Sequence, residues 1–508
     1  MIQQIDYFLI APPLVLALAA GLVLLLDAFL PARPRTTSGL GLVTLTGILI
    51  SLGFVIAQAA GSGRPWSTFC VPPGLAGGAE QAAGLCSFVV DGFTLVFAGM
   101  VLVAAVVVVL MSMTELAGGA IPVGEWYFLL LCTLVGAVTL PASRDLIMLV
   151  VALELVSLPV FALTALKRYD GRSSEAAVKL FVVSVVSTAI MLFGVSLLYG
   201  IAGTVYLSRL GAVFSGQVAA PGVALAAGPE LPAVVTVGVV LVVAGFAFKI
   251  AAVPFHSWAA DVYQGAPIPV AALLSVISKA AGFAGLMLVL VSALSGQAAT
   301  WAPIVGIVAA LTMTAGNLLA MRQRSAVRLL AWSSVAQSGY ILAPLAVAAT
   351  VEPSTRVIST STAYLVIYAA MNLGAFTVVM LVSRTTARNE LDDYRGLVLR
   401  RPAVGIALAF CLVCLAGLPP GLAGLFAKVF VFREIVEGGA GWLAVVMAVN
   451  TVIGLYYYAV WTARLFTPGG RALASPPATA WLAVGVSVAA AVLFSLAPQL
   501  VLDVTSLT

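Results

Sequence analysis

The chain has 508 residues, 62% hydrophobic and only 8% charged, with a mean hydropathy of +1.15. Soluble domains carry about 25% charged residues, so this composition excludes a soluble globular protein and points to a polytopic membrane protein. The net charge of +5 is small, and its placement in loops reports membrane orientation, so no nucleic-acid partner is expected.

Runs of about 20 apolar residues cross a bilayer as helices. In chain order the sequence predicts an all-α chain of about fourteen transmembrane helices, at roughly 8–30, 39–59, 92–113, 123–140, 145–166, 177–203, 233–253, 268–293, 301–321, 329–349, 359–383, 403–437, 441–466 and 478–503. The first run is too long for a signal-peptide core and has no basic flank before it, so no cleavable signal is expected. Between spans 2 and 3, Cys70 and Cys86 share a long outer loop. In an oxidising space they would be able to pair, but their spacing does not supply the Cα separation a disulfide requires. The five cysteines are too scattered for a metal or iron–sulfur site, and Cys411 and Cys414, within an apolar span, read as small packing residues.

Span 5 carries Glu154 near its middle, in M-L-V-V-A-L-E-L-V-S-L, as the only acidic residue deep in any predicted span. Span 7 runs through F-K-I-A-A-V-P-F-H-S-W, which places Lys249, Pro254 and the chain's single histidine, His256, in one apolar stretch. A charge at the bilayer centre costs roughly 3 kcal/mol or more, and an interior proline removes a helix hydrogen bond. His256 suits a proton relay equally with a structural histidine near an interface; Asp261, beside the following Gly–Pro turn, reads as a loop or cap residue. Span 8 carries Lys279 near its middle, in S-V-I-S-K-A-A-G-F. The serines of S-S-V-A-Q-S-G-Y, Ser333 to Tyr340, read as helix-packing residues, with carriage of water as the alternative. Span 12 is 35 residues long, about 52 Å as a straight helix, and contains G-L-P-P-G, Gly417 to Gly421, with Lys428 seven residues further on. It is therefore expected to be broken.

Two patterns emerge. First, of 19 arginines none lies deep in a span, whereas three of the five lysines do: Lys249, Lys279 and Lys428. Arginine effectively never deprotonates, while a desolvated lysine does so readily. A membrane interior with lysines and no arginines implies groups that titrate. One glutamate cannot neutralise three lysines, so at least one must be neutral, hydrated or held by polar neighbours. A static Glu–Lys pair that fixes packing is the plainer alternative. Second, broken spans 7 and 12 are five apart, so equivalent spans would enter from opposite sides. Spans 4–8 and 9–13 would then form an inverted repeat, a construction that points to an ion path in transporters. This divides the chain into an N-terminal three-helix segment, 1–113, a first five-helix repeat, 123–293, a second inverted repeat, 301–466, and a C-terminal helix, 478–508. With the N-terminus outside, 16 of the 24 Lys and Arg fall in inner loops, 5 outside and 3 within spans. By the positive-inside rule both termini are expected on the outer face.

Over residues 90 to 465 the chain resembles the subunit N family of bacterial NADH-quinone oxidoreductase, respiratory complex I, itself related to subunits of Mrp-type cation/proton antiporters. The resemblance rests on D-L-I-M-L-V-V-A-L-E-L-V-S-L, F-K-I-A-A-V-P-F-H-S-W-A-A-D-V-Y-Q-G-A-P-I-P-V, R-L-L-A-W-S-S-V-A-Q-S-G-Y, L-D-D-Y-R-G-L and G-L-P-P-G-L-A-G-L-F-A-K, in that order. It implies a proton path through Glu154, Lys249, Lys279 and Lys428. It also implies residence in the bacterial plasma membrane beside the complex's other membrane subunits, with NADH, FMN, iron–sulfur clusters and quinone held by partner subunits and no cofactor in this chain. There are departures from the family pattern. Ala260 stands where proline is usual, Ile268 where a small hydroxyl residue is usual, and Gln337 where a histidine is frequent. The expected function is proton translocation coupled to NADH oxidation and quinone reduction elsewhere. The rivals are an Mrp-type antiporter subunit and a structural subunit with relic charges.

Overall fold

The computed structural model describes all residues except 1–4, 32–33, 62–64, 73–84, 120, 168–169, 219–232, 352–354, 387, 471–474 and 507–508. Arg33, Arg64, Arg168 and Arg471, counted above, lie outside the described residues, as does the side chain of Arg35.

Among the described residues eleven helices are long and apolar enough to cross a membrane. They correspond to spans 1–6, 8, 9, 11, 13 and 14 of the sequence. The other three are shorter or interrupted. Span 7 is the helix Ala233–Lys249 and the irregular turn after it, and the short helix Trp258–Gly265 joins it to span 8. Span 10 is Ala326–Leu342, tightening into a 3-10 turn over Ala343–Val347. Span 12 is two helices, Pro402–Ala416 and Leu422–Glu437. Seventeen residues, the length of the first half of span 7, rise about 25 Å, short of a ~30 Å hydrocarbon core. The fourteen predicted spans thus resolve into eleven of full length and three that are short or broken, and the breaks fall at Pro254 and at Pro419–Pro420.

Loops sort by parity onto two faces. Asp261, after span 7, pairs with Lys179 and Arg328, Glu390 bridges to Ser325, and Asp392 pairs with Arg464; this is the basic face. On the opposite face Arg144 pairs with Asp91 at 2.6 Å, Asp145 bridges to Tyr206, and Thr350 Oγ1 donates to the Gly438 carbonyl. To the helices the structure adds a small hairpin on this second face. Strands β1, Trp66–Cys70, and β2, Cys86–Val90, pair antiparallel, and a Cys70–Cys86 disulfide closes them.

Among the full-length spans, 8 and 11 are the most enclosed, and with span 10, buried at all but one residue of Ala326–Leu342, they form the middle of the bundle. Span 6 instead presents Val178, Phe181, Val182, Val185 and Phe193 outward, the apolar exterior that lipid or a partner subunit requires. Span 5 starts at Asp145, whose side chain caps the helix by accepting from the Met148 amide. That fixed start sets Glu154 nine residues in, near the middle of a 20-residue helix.

Candidate functional site

Glu154 and Lys249 are brought together. Lys249 Nζ stands 3.8 Å from Glu154 Oε1, which also accepts from Thr188 Oγ1 at 2.8 Å. The ammonium donates to Ser157 Oγ and, at 3.4 Å, to Ser184 Oγ. Ser157 spends its own proton on the Leu153 carbonyl, which leaves its lone pairs for the lysine. Lys249 is the last residue of its half-helix, where carbonyls without helical partners favour a cation.

The break after Lys249 is satisfied by other spans. Pro254 has no N–H for the Ile250 carbonyl four residues back, and Ser338 Oγ of span 10 donates there at 2.6 Å. Val253 N donates to Thr312 Oγ1, and Trp258 Nε1 to the Phe248 carbonyl. Ala251 takes φ +56°, a left-handed conformation that costs a non-glycine residue about 1 kcal/mol or more. Such strain collects at functional turns.

Lys279 follows a π-helical turn, Leu274–Ser278, in span 8, a feature frequent at functional sites. It is 1% exposed. Its Nζ donates to both the carbonyl and Oγ of Ser334, at 2.5 and 2.6 Å, and lies 5.6 Å from the Tyr368 ring centre. Tyr368 OH donates to the same Ser334 Oγ. Span 8 approaches Lys249 closely because residue 282 is glycine: a Cβ there would lie 3.1 Å from Lys249 Cβ. A cavity of about 20 Å³, room for one water, is lined by Ser157, Ser184, Lys249 and Ser278, the residue before Lys279.

Lys428 lies beyond the break in span 12, and its side chain reaches back. Nζ donates to the Ala416 carbonyl at 2.7 Å and the Leu415 carbonyl at 3.3 Å. In an unbroken helix these carbonyls would accept from residues 420 and 419, both prolines. Gly417, at φ +81°, turns the chain there. Lys428 also sits 5.6 Å from the Tyr340 ring centre.

Tyrosines link the last two lysines. Tyr340 stacks on Tyr364 at 6.0 Å, one helical turn from Tyr368. Tyr364 OH donates to Gln337 Oε1, and Gln337 and Ser333 meet Tyr458 OH. Gln337 thus joins Tyr364 and Tyr458 by hydrogen bonds without being a titrating group. Among the described residues neither Lys279 nor Lys428 has a carboxylate partner; both are held by neutral oxygens.

His256 is not joined to this chain by a hydrogen bond. Its Nδ1 is buried without a partner among the described residues, as is Trp332 Nε1, and the two rings meet edge-on at 5.6 Å. Asp261 does more than cap: on the first turn of Trp258–Gly265 it accepts from Arg328 at 2.7 Å and Lys179 at 3.0 Å. Sequence reasoning also underrated Ser334 and Ser338, read as packing residues, and passed over Ser157, Ser184 and Thr188. The four-residue spacing of Ser184 and Thr188 in span 6 was the available signal. It missed Glu434 as well, a buried acid at 4% exposure, because that residue lies near a helix end.

Lysines buried beside two broken helices, in a bundle of membrane-spanning length, define a transporter-type membrane protein. The chain belongs to the NADH:quinone oxidoreductase/Mrp antiporter transmembrane family, whose pattern matches residues 143–454. NADH-quinone oxidoreductase subunit N 2 of Streptomyces griseus is 50% identical over 94% of this chain and 86% of its own length. A chain of respiratory complex I from Thermus thermophilus, solved with bound aureothin, is 28% identical, with a TM-score of 0.75 over 97% of this chain and 98% of that one. A chain of the Mrp complex from Dietzia sp. DQ12-45-1b shares the fold at 20% identity, with a TM-score of 0.79 over 97% of this chain and 96% of that one.

Proposed function

We propose that this chain is a proton-translocating membrane subunit of an NADH:quinone oxidoreductase. The observation that carries the reading is the set of three buried lysines, each held by oxygens that a neutral amine also tolerates, with one carboxylate at one end. Lys249, Lys279 and Lys428 pass protons in turn. Glu154 governs the charge of Lys249: moving or neutralising that carboxylate favours release of the lysine's proton. The water-sized cavity and Gly282 support transfer between Lys249 and Lys279, and the Tyr368–Tyr364–Tyr340 row supports transfer toward Lys428. His256, between Lys249 and the Asp261 ion pairs of the basic face, is a relay candidate on that side.

Partner subunits of the complex would hold NADH, FMN, iron–sulfur clusters and quinone. The bacterial plasma membrane is the expected site, with the basic face inward and both termini on the hairpin side. Broken spans five apart support the division into repeats at 123–293 and 301–466.

The test is the purified complex in proteoliposomes. NADH-dependent quinone reduction with proton translocation, impaired in Lys279→Ala and Glu154→Ala, is expected. Sodium-gradient exchange by a complex without flavin would favour the antiporter instead. Wild-type pumping by both variants, with normal assembly, would reject the assigned path.

A further inference from the structure

The second half of span 12, Leu422–Glu437, runs from the Pro–Pro break to the hairpin face. Its buried stripe is Ala423, Gly424, Ala427, Lys428, Val431, Glu434 and Ile435. Two titratable side chains stand on that stripe, Lys428 and Glu434. They are six residues apart, about 9 Å along the helix.

The carboxylate of Glu434 is half used. Oε2 lies 3.0 Å from Arg356 Nε, whereas Oε1 is buried without a partner among the described residues. An unsatisfied buried oxygen costs about 1–3 kcal/mol, so a purely structural ion pair would be expected to satisfy both oxygens. The surrounding charges are solvent-facing: the side chains of Arg356, Glu437 and Arg433 are 41%, 40% and 71% exposed. Arg356 also pairs with Glu437, which pairs in turn with Arg433.

The neighbouring element follows the same course. Tyr340, whose ring faces Lys428, continues into the Ala343–Val347 turn, and Val347 packs against Gly438. The seam between these two elements therefore begins at Lys428 and ends at the hairpin face, with Glu434 on it.

We propose that Glu434 accepts the proton leaving Lys428 and releases it at the hairpin face, an inference that rests on the reading of Lys428 as a proton carrier. Through intervening water, the Lys428 ammonium becomes a neutral amine and the Glu434 carboxylate becomes a carboxylic acid at Oε1. The acid then gives that proton to outer water and is again the partner of Arg356.

The assembled complex in proteoliposomes tests this, read as protons translocated per NADH oxidised. Glu434→Gln is expected to lose most of it, because removing a positioned proton-transfer group slows that transfer about 10²-fold or more, while Glu434→Asp recovers most of it. Glu437→Gln, which removes the exposed carboxylate from the same arginine, is expected to pump as wild type. Equal impairment of Glu434→Gln and Glu437→Gln would overturn the proposal in favour of an ion-pair latch. If Glu434→Gln blocks assembly, the Glu434→Gln/Arg356→Gln double variant replaces the pair with two neutral amides; it too should fail to pump, and wild-type pumping would overturn the proposal. Lys428→Ala runs in parallel. Its impairment beside an unaffected Glu434→Gln rejects Glu434 alone, whereas wild-type behaviour of both rejects the lysine path itself.

Discussion

Lys428 donates to the Ala416 carbonyl that Pro420, having no N–H, leaves open. The second proline does the same for Leu415. The Pro–Pro pair therefore does more than bend span 12: it creates the acceptors that hold the lysine, at a helix C-terminus where the dipole favours a cation.

Restoring those amides should dislodge the lysine. In Pro419→Ala/Pro420→Ala, backbone N–H groups compete for both carbonyls. The expected result is an assembled complex whose proton translocation falls several-fold. Unchanged translocation in proteoliposomes would mean that Lys428 does not depend on the break.

Charge without titration should fail in span 8. Lys279→Arg keeps the cation that Ser334 and Tyr368 surround, but its guanidinium does not deprotonate. Pumping is expected to drop as far as in Lys279→Ala. Retention of pumping by the arginine variant would show that the position needs only a positive charge.

How much of this was legible in the sequence depends on how rare each residue is in its setting. Lysines in hydrocarbon and a Pro–Pro pair within 35 apolar residues stand out, so Lys249, Lys279, Lys428 and both breaks were readable. Ser334, Tyr340 and Tyr368 were not, since serines and tyrosines commonly pack helices and only the fold shows which face a lysine. Glu434 was not either: a glutamate near a helix end is ordinary, and only the fold brings Arg356, distant in sequence, against it. Eleven of the fourteen predicted spans are long and apolar enough to cross as single helices; hydropathy alone does not separate them from a proline-broken stretch, whose halves are individually short.

Asp261 sets a pH dependence. Burial works to raise its pKa, but hydrogen bonds from Arg328 and Lys179 and their charges outweigh this and hold the carboxyl below its ordinary range. A depressed folded-state pKa stabilises the fold above the unfolded value, about 4, and that contribution is lost as pH falls through the folded value. With the side chain 39% exposed, solvent screening limits it to about 1 kcal/mol. Asp261→Asn should therefore melt below wild type at pH near 7, with the difference vanishing in strong acid. Identical melting at neutral pH would remove the clamp from the account.

The Cys70–Cys86 bridge closes a loop with a sequence separation of 16, for which chain entropy gives about 3 kcal/mol. Non-reducing peptide mapping should recover the two cysteine peptides joined. Cys70→Ser/Cys86→Ser should lower thermal stability while leaving proton translocation intact; two free thiols in the native protein would contradict the bridge.

Ser338 brings a last consequence. Its hydroxyl lies 2.6 Å from the Ile250 carbonyl and 3.2 Å from the Ser334 carbonyl, the one that holds Lys279. A serine has a single proton to donate, so it serves one of these oxygens at a time. The irregular turn after Lys249 and the oxygen that grips Lys279 are thus rivals for one hydrogen. Whatever straightens or widens that turn changes how much electron density Ser334 has left to offer the second lysine.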